Sequence, residues 1–302
     1  MTAGMGPSEF SARSWSRAVP DGPGEGVVRF ASSRAWYLTL GERLVAVLHG
    51  PDVDCVPGGV QLDAGILAAR SARSVGVRVR FERDRLHFAG GTAPAWTLQR
   101  GALPAWECGS MDHEPSGHAE AAVATAAAHA LTWAGGGDVS ARTRFCSLLD
   151  ALADPDGDLG ALLDRLVGFG PGLTPSGDDL LVGLLAALQA RPDACGPTNA
   201  AERLRRAVAV RLATTTAVGR FYLEHGLDGR FGAALLGARR ALVHVASNEQ
   251  LDPALQALVA VGATSGADLL FGLAETLSRA AVKNPEQTGG PRCAELCLGV
   301  LR

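Results

Sequence analysis

The sequence predicts an α+β protein: an antiparallel, β-rich N-terminal part, small and barrel-like, followed by an all-helical C-terminal part. Three observations carry this expectation. Short runs with a two-residue period fill residues 26 to 110. From Gly117 onward the runs lengthen into Ala- and Leu-rich segments of helical period. A glycine-rich loop that breaks into an apolar helix occurs twice in this second part. The expected organisation is a disordered N-terminal segment (1–25), a β-rich domain (26–115) and a helical domain (116–302) that carries the glycine-rich motifs.

The elements follow in order. Residues 1–25 are rich in Gly, Pro and Ser and read as disordered. Val27 to Phe30, Ala35 to Leu40 and Leu44 to Leu48 are strand-like, with Gly41-Glu42-Arg43 as a hairpin loop. Pro57-Gly58-Gly59 marks a turn before Val60 to Leu62. Gly76 to Phe81 alternates apolar and basic residues, so Arg78 and Arg80 belong to a solvated face, and Glu82-Arg83-Asp84 turns the chain into Leu86 to Phe88. Trp96 to Leu98 adds a further strand. Met111 to Gly117 is turn-like, and His118 to Trp133 opens the helical part. Helices are expected over Arg142 to Leu152, Leu159 to Val167, Ala200 to Ala217, Phe221 to Gly226, Phe231 to Val245, Pro253 to Val261 and Leu269 to Val282. Lys283 to Arg292 is polar and loop-like, and Ala294 to Leu301 is a short tail element.

The central stretch runs from Gly168 to Leu188. Gly168, Gly170 and Gly172 permit backbone angles closed to other residues, and Pro171 and Pro175 stiffen the loop. Thr174 or Ser176 would cap the following helix, with Asp179 at the capping-box spacing from Ser176. Leu180, Leu181, Leu184, Leu185 and Leu188 form its apolar stripe. The design returns at Gly262 to Leu273, where Thr264, Ser265, Gly266 and Asp268 match Thr174, Ser176, Gly177 and Asp179, with Pro175 as the extra residue of the first copy. Gly183 and Gly272 occupy matching helix-interior positions, which suggests a close helix crossing. The two helix starts are expected to face one another and build one site. Capping alone would explain Ser and Asp, but not the flanking glycines or Asp178, whose partner in the second copy is Ala267.

Such a site would offer helix N-termini that suit an anion, several hydroxyls and three candidate catalytic carboxylates, Asp178, Asp179 and Asp268. Candidate binding residues are Gly170, Gly172, Thr174, Ser176, Gly177, Thr264, Ser265 and Gly266, joined by Thr214, Thr215 and Thr216 from the helix begun at Ala200. β-branched hydroxyls are poor helix formers, so their place there calls for a reason, which is a bond back to a carbonyl or to a ligand. Arg220, Tyr222 and His225 follow directly. Asp178 is the carboxylate least explained by capping and the best single candidate for touching substrate. There is no activated nucleophile, so direct transfer between bound substrates fits better than a covalent intermediate.

Other function classes fall away. The net charge is −3, aromatics are 5% and no Lys/Arg run occurs, which argues against nucleic acid and anionic membranes as partners. There is no P-loop, nucleophile elbow or dinucleotide fingerprint. His113, Glu114 and His118 are grouped but short of ligands, so neither metal nor cofactor is expected. The six cysteines form no paired motif and read as thiols. With no apolar leader and no run of 18 apolar residues, the expected compartment is the cytoplasm.

Gly170-Pro-Gly-Leu-Thr-Pro-Ser-Gly-Asp-Asp179, Thr214-Thr-Thr216 with Tyr222-Leu223, and Gly262-Ala-Thr-Ser-Gly-Ala-Asp268 resemble the AllH-type subunit family of oxamate carbamoyltransferase. The resemblance spans residues 26 to 280. It implies one subunit of a multi-subunit enzyme of anaerobic allantoin catabolism, which transfers a carbamoyl group between oxalurate and phosphate to give oxamate and carbamoyl phosphate. A His that is frequent in that family before the second Thr-Ser-Gly is Ala263 here, so a related ureido or amide substrate fits as well. The alternative is a non-catalytic subunit that binds a small anion or serves as a scaffold.

Overall fold

The computed structural model describes residues 8–49, 55–62, 74–89, 95–101, 105–106, 120–196, 199–244 and 247–280. The chain divides into two compact units, Met1–Cys108 and Gly109–Arg302. The expected turn over 111–117, the His113/Glu114/His118 group, the loop and tail beyond 282, and Cys108, Cys293 and Cys297 all lie outside the described residues.

The first unit is a closed barrel of eight strands: β1 (Ser8–Trp15), β2 (Gly24–Ala31), β3 (Ala35–Leu40), β4 (Arg43–His49), β5 (Gly59–Leu62), β6 (Arg78–Glu82), β7 (Arg85–Phe88) and β8 (Trp96–Gln99). Around the barrel they run β1-β5-β4-β3-β2-β6-β7-β8. The hairpins β3–β4 and β6–β7 turn at Gly41 and Arg83, both with positive φ, as two-residue loops demand. Two findings differ from the expectation. The stretch read as disordered holds β1, whose alternation buries Ala12 and Trp15 and whose ladder partners are the distant β5 and β8. The barrel is also not wholly antiparallel: β1 pairs with β8 and β4 with β5 in parallel. A parallel pair cannot be joined by a tight hairpin, and the chain from His49 to Gly59 is too long for one. Closure leaves no exposed sheet edge. The lumen is packed with side chains, Phe88 and Trp96 stacking at 3.9 Å between ring centroids and Trp15 lying over Phe81. Arg78 and Arg80 are exposed, and Arg80 pairs with Glu82.

The second unit is helical: α1 (Glu120–Trp133), α2 (Val139–Ala153), α3 (Leu159–Leu163), α4 (Ser176–Ala190), α5 (Ala200–Ala209), α6 (Ala217–Leu227), α7 (Ala233–Val243), α8 (Asn248–Val259) and α9 (Ser265–Ala280). Helix α4 is its axis. The apolar stripe expected of it is a full circumference, because every residue from Ser176 to Leu188 is buried. Gly183, Ala186 and Ala187 fill the other faces without bulk, and α1, α2, α6, α7 and α9 belong to the same core. Helix α9 packs along α4 at Gly183 and Gly272. A Cβ on Gly183 would stand 2.3 Å from the Leu269 carbonyl oxygen, and one on Gly272 would stand 2.2 Å from that of Leu180. The close crossing read from the two interior glycines is present.

The single helix expected from Ala200 to Ala217 is two. Helix α5 stops at Ala209, a 3-10 turn covers Leu212–Thr214, and Thr216 caps α6 by accepting from the Gly219 N–H at 2.8 Å. The threonine hydroxyls break the helix, which is their ordinary tendency. Cys55 is a thiol as expected, whereas Cys146 is disulfide-bonded, so the reading of every cysteine as a thiol does not hold for it. No helix among the described residues is long and apolar enough to cross a membrane.

Candidate functional site

The two glycine-rich loops deliver the starts of α4 and α9 to one place. Thr174 Oγ1 and Ser265 Oγ hydrogen-bond at 2.8 Å. The matching Ser and Asp residues are exchanged between the helices: the Ser176 hydroxyl bonds Asp268, and the Ser265 hydroxyl bonds Asp179. Gly177 and Gly266 sit equivalently in the first turns, since a Cβ on either would strike a preceding carbonyl, that of Leu166 at 1.9 Å or that of Leu258 at 2.0 Å. The expectation that the helix starts face one another is met.

Several details differ from the sequence reading. The structural register of the repeat places Pro175 opposite Thr264, because the Asp179 N–H bonds the Pro175 carbonyl as the Asp268 N–H bonds that of Thr264. Gly170 then matches Gly262, each packing on the serine that starts its helix. The extra residues of the first copy are therefore Pro171, Gly172 and Leu173, all exposed, rather than Pro175. The N-cap of α4 is Pro175, and it makes no side-chain cap bond. A capping box needs a backbone N–H at the N-cap, and proline has none. Neither Thr174 nor Ser176 caps α4, and Asp179 serves no capping box. The first-turn N–H groups of Gly177 and Gly266 are also not free for an anion, because they bond the carbonyls of Phe169 and Val261, each at 2.9 Å.

Asp178, expected to touch substrate, has structural partners of its own. Its carboxylate, 1% exposed, accepts from the Gly168 N–H at 2.8 Å and from the Thr215 hydroxyl. Gly168 has φ +74 and stands against Thr214 and Thr215, so Asp178 ties the loop to the entry of α6. Gly219 leaves room for it, since a Cβ there would fall 2.2 Å from Asp178 Oδ2. The second copy has Ala267 at the matching position and so carries no such tie.

The remaining candidates divide. Thr216 donates to the Leu173 carbonyl at 2.5 Å and so holds the exposed rim of the first loop. Thr214 donates its hydroxyl to the Arg211 carbonyl at 2.8 Å, within its own turn. Gly170 and Gly172 have φ +117 and +95, and Thr264 is exposed on the second loop. Arg220 donates to the Leu212 carbonyl, and His225 Nδ1 accepts from Arg230 Nε at 3.0 Å, so neither bond is directed at the α4–α9 crossing.

One participant was not read from the sequence. Arg142 of α2 directs Nη2 to the Ala134 carbonyl at 2.5 Å, to the Ala267 carbonyl at 3.5 Å and to Asp268 Oδ1 at 3.4 Å. Its guanidinium lies 4.5 Å from the centroid of the Phe271 ring. Gly137 makes room for this pair, since a Cβ there would strike both. No local signal marks Arg142, because it is 126 residues from its partner.

The electrostatics separate the carboxyls. Burial raises the pKa of Asp178, and its bonds from Thr215 and Gly168 lower it. Burial raises that of Asp268, and the Ser176 hydroxyl and Arg142 pull it back. Burial pushes Asp179 well above the usual carboxylate range; hydroxyl bonds from Ser265 and Thr174 offset this, while the charges of Asp268 and Asp178 add to it. Asp179 is 5% exposed and Asp268 0%, and the Oδ2 atom of each is buried without a hydrogen-bond partner. Among the described residues no three His, Cys, Asp or Glu side chains group as a metal site.

Residues 166–277 match the family model described as oxamate carbamoyltransferase subunit AllH. The match takes in both glycine-rich motifs, the α4–α9 crossing and the threonine segment; it is narrower than the span read from the sequence and leaves out the barrel. No solved structure matches the chain.

Proposed function

We propose, taking the match of residues 166–277 to the oxamate carbamoyltransferase subunit family as the premise, that this chain is a subunit of a carbamoyltransferase. Its substrates are oxamate or oxalurate, or a related ureido compound, with phosphate or carbamoyl phosphate as the second reactant. The site is the joined start of α4 and α9. The single observation that carries this is the Thr174–Ser265 bond with the Ser–Asp exchange around it, which lies inside the matched segment and holds two buried carboxyls, Asp179 and Asp268.

The reaction joins a phosphate oxygen to the ureido carbonyl carbon and releases the oxamate nitrogen with a proton. Among the described residues no activated nucleophile stands at the crossing, so the chain's contribution is to bind and orient the reactants rather than to form a covalent intermediate. The filled N–H groups of Gly177 and Gly266 remove the two donors best placed for phosphate. Donors from other subunits of the assembly complete that half of the site. We place the enzyme in the cytoplasm, in the breakdown of allantoin.

The same filled N–H groups favour the scaffold form of the second reading, in which the chain is a non-catalytic scaffold or anion-binding subunit, and one experiment separates that reading from the first. Carbamoyl phosphate formation from oxalurate and phosphate is measured with the chain alone and with its partner subunits. Ser265→Ala is then assembled in place of wild type. Lower kcat/KM with unchanged assembly is the expected result; unchanged kcat/KM leaves the scaffold reading, and no transfer in any combination sinks the proposal.

A further inference from the structure

The α4–α9 crossing is nearly two-fold in its residues, and the departures from that symmetry single out Asp179. Both carboxyls are buried, both receive a hydroxyl from the opposite helix, and both keep an Oδ2 without a partner. Asp268 has the Arg142 guanidinium beside it. Asp179 has no cation paired with it among the described residues. Its partners are the Ser265 and Thr174 hydroxyls, and the charged groups that face it are Asp268 and Asp178.

A buried acceptor left unmade is costly, on the order of 1–3 kcal/mol. Here two such oxygens occur at matching positions of one crossing. Thr174 and Ser265, whose hydroxyls bond Asp179, are half-buried residues, and the loops on either side, Pro171 to Leu173 and Gly262 to Thr264, are exposed. That rim is the side from which a solute would approach the Asp179 carboxyl, through the two hydroxyls that bond it. Two unfilled acceptor oxygens, that of Asp179 with no cation paired to its carboxyl among the described residues, suit a planar group bearing two N–H donors better than a phosphate or a second carboxylate.

We propose that Asp179 is the specificity-determining acceptor for the N–H donors of a primary amide or ureido group, with the oxygen of Asp268 as the second acceptor. This rests on the reading of the crossing as a substrate site and adds which end of the substrate it takes. Anionic analogues without N–H are rejected because their oxygens would face carboxyl oxygens, and a site built to meet a donor discriminates strongly against an analogue that lacks it.

The test compares oxamate with oxalate, which has nearly the same shape and carries an oxygen where oxamate has the amide NH2. Binding of both to the full chain is measured by calorimetry for wild type and Asp179→Asn, with inorganic phosphate as a third probe. Wild type is expected to prefer oxamate at least about tenfold over oxalate, and Asp179→Asn to lose that preference, since the Asn side chain presents both a donor and an acceptor. Asp179→Ser is the second variant should the Asn chain not fold. An unchanged preference in a folded variant, or no oxamate binding to wild type, overturns the inference. The transfer assay separates it from the proposed function. A wild-type chain that shows the preference yet supports no transfer sinks the function alone, while wild-type KM for oxamate in Asp179→Asn sinks the acceptor role alone.

Discussion

The Leu269 carbonyl oxygen of α9 lies 2.3 Å from where a Cβ on Gly183 of α4 would stand. The contact is backbone against backbone, so no side chain can swing aside to relieve it. Gly183→Ala is therefore expected to push the helices apart and to lose about 1–3 kcal/mol or more. Gly272→Ala should do the same through the Leu180 carbonyl. Gly237, exposed within α7, is the control, since a methyl added there would meet nothing within 4 Å. There Ala is expected to stabilise by about 1 kcal/mol. Denaturant melts of the three variants check this, and equal effects at all three positions would refute the crossing.

Asp178→Ala is expected to lose about 1–3 kcal/mol, because it leaves the Gly168 N–H without its carboxylate and frees Thr215. Hydrogen exchange of the Gly168 amide should quicken at the same time. A variant that melts with wild type would return Asp178 to the role of a substrate contact.

Asp179→Asn should leave the ligand-free protein as stable as wild type at neutral pH, or more so. Its folded pKa is raised by burial above the unfolded value. The folded state thus holds the proton more tightly, ionisation opposes folding, and stability rises as pH falls from the folded pKa toward the unfolded one. The difference in melting temperature between variant and wild type should shrink as pH is lowered from 8 to about 5. A difference that grows on acidification has the wrong sign.

His225 moves the other way. Burial, with Arg230 beside it, lowers its pKa to about 4. The ring is neutral in the fold, and its stabilising contribution is complete above the unfolded value of 6.5 and is lost as pH falls toward about 4. An NMR titration should show the His225 ring shifts flat from pH 8 to about 5 and moving only below. A midpoint near 6.5 would show that the ring is not held neutral.

The sequence by itself determined the local half of this protein. Period-two runs located β2 to β8, and the Gly41 and Arg83 turns followed from their loops, because strand pattern and turn chemistry depend on residues a few positions apart. The repeated motif located the starts of α4 and α9, and the paired Gly183 and Gly272 announced the crossing, since an interior glycine has little other reason to recur. Tertiary structure decided which group each side chain meets. Strand β1 exists because β5 and β8 pair with it from far along the chain. The break at Thr214–Thr216 was settled by the bonds to Asp178 and Leu173. Arg142 reached Asp268 only by folding. Asp178 and Asp179 differ by one position on one helix, and a step of about 100° around its axis turns one toward Gly168 and the other toward the Ser265 hydroxyl of α9. The sequence names both carboxylates, but only packing assigns one to holding the fold and leaves the other with an unfilled oxygen.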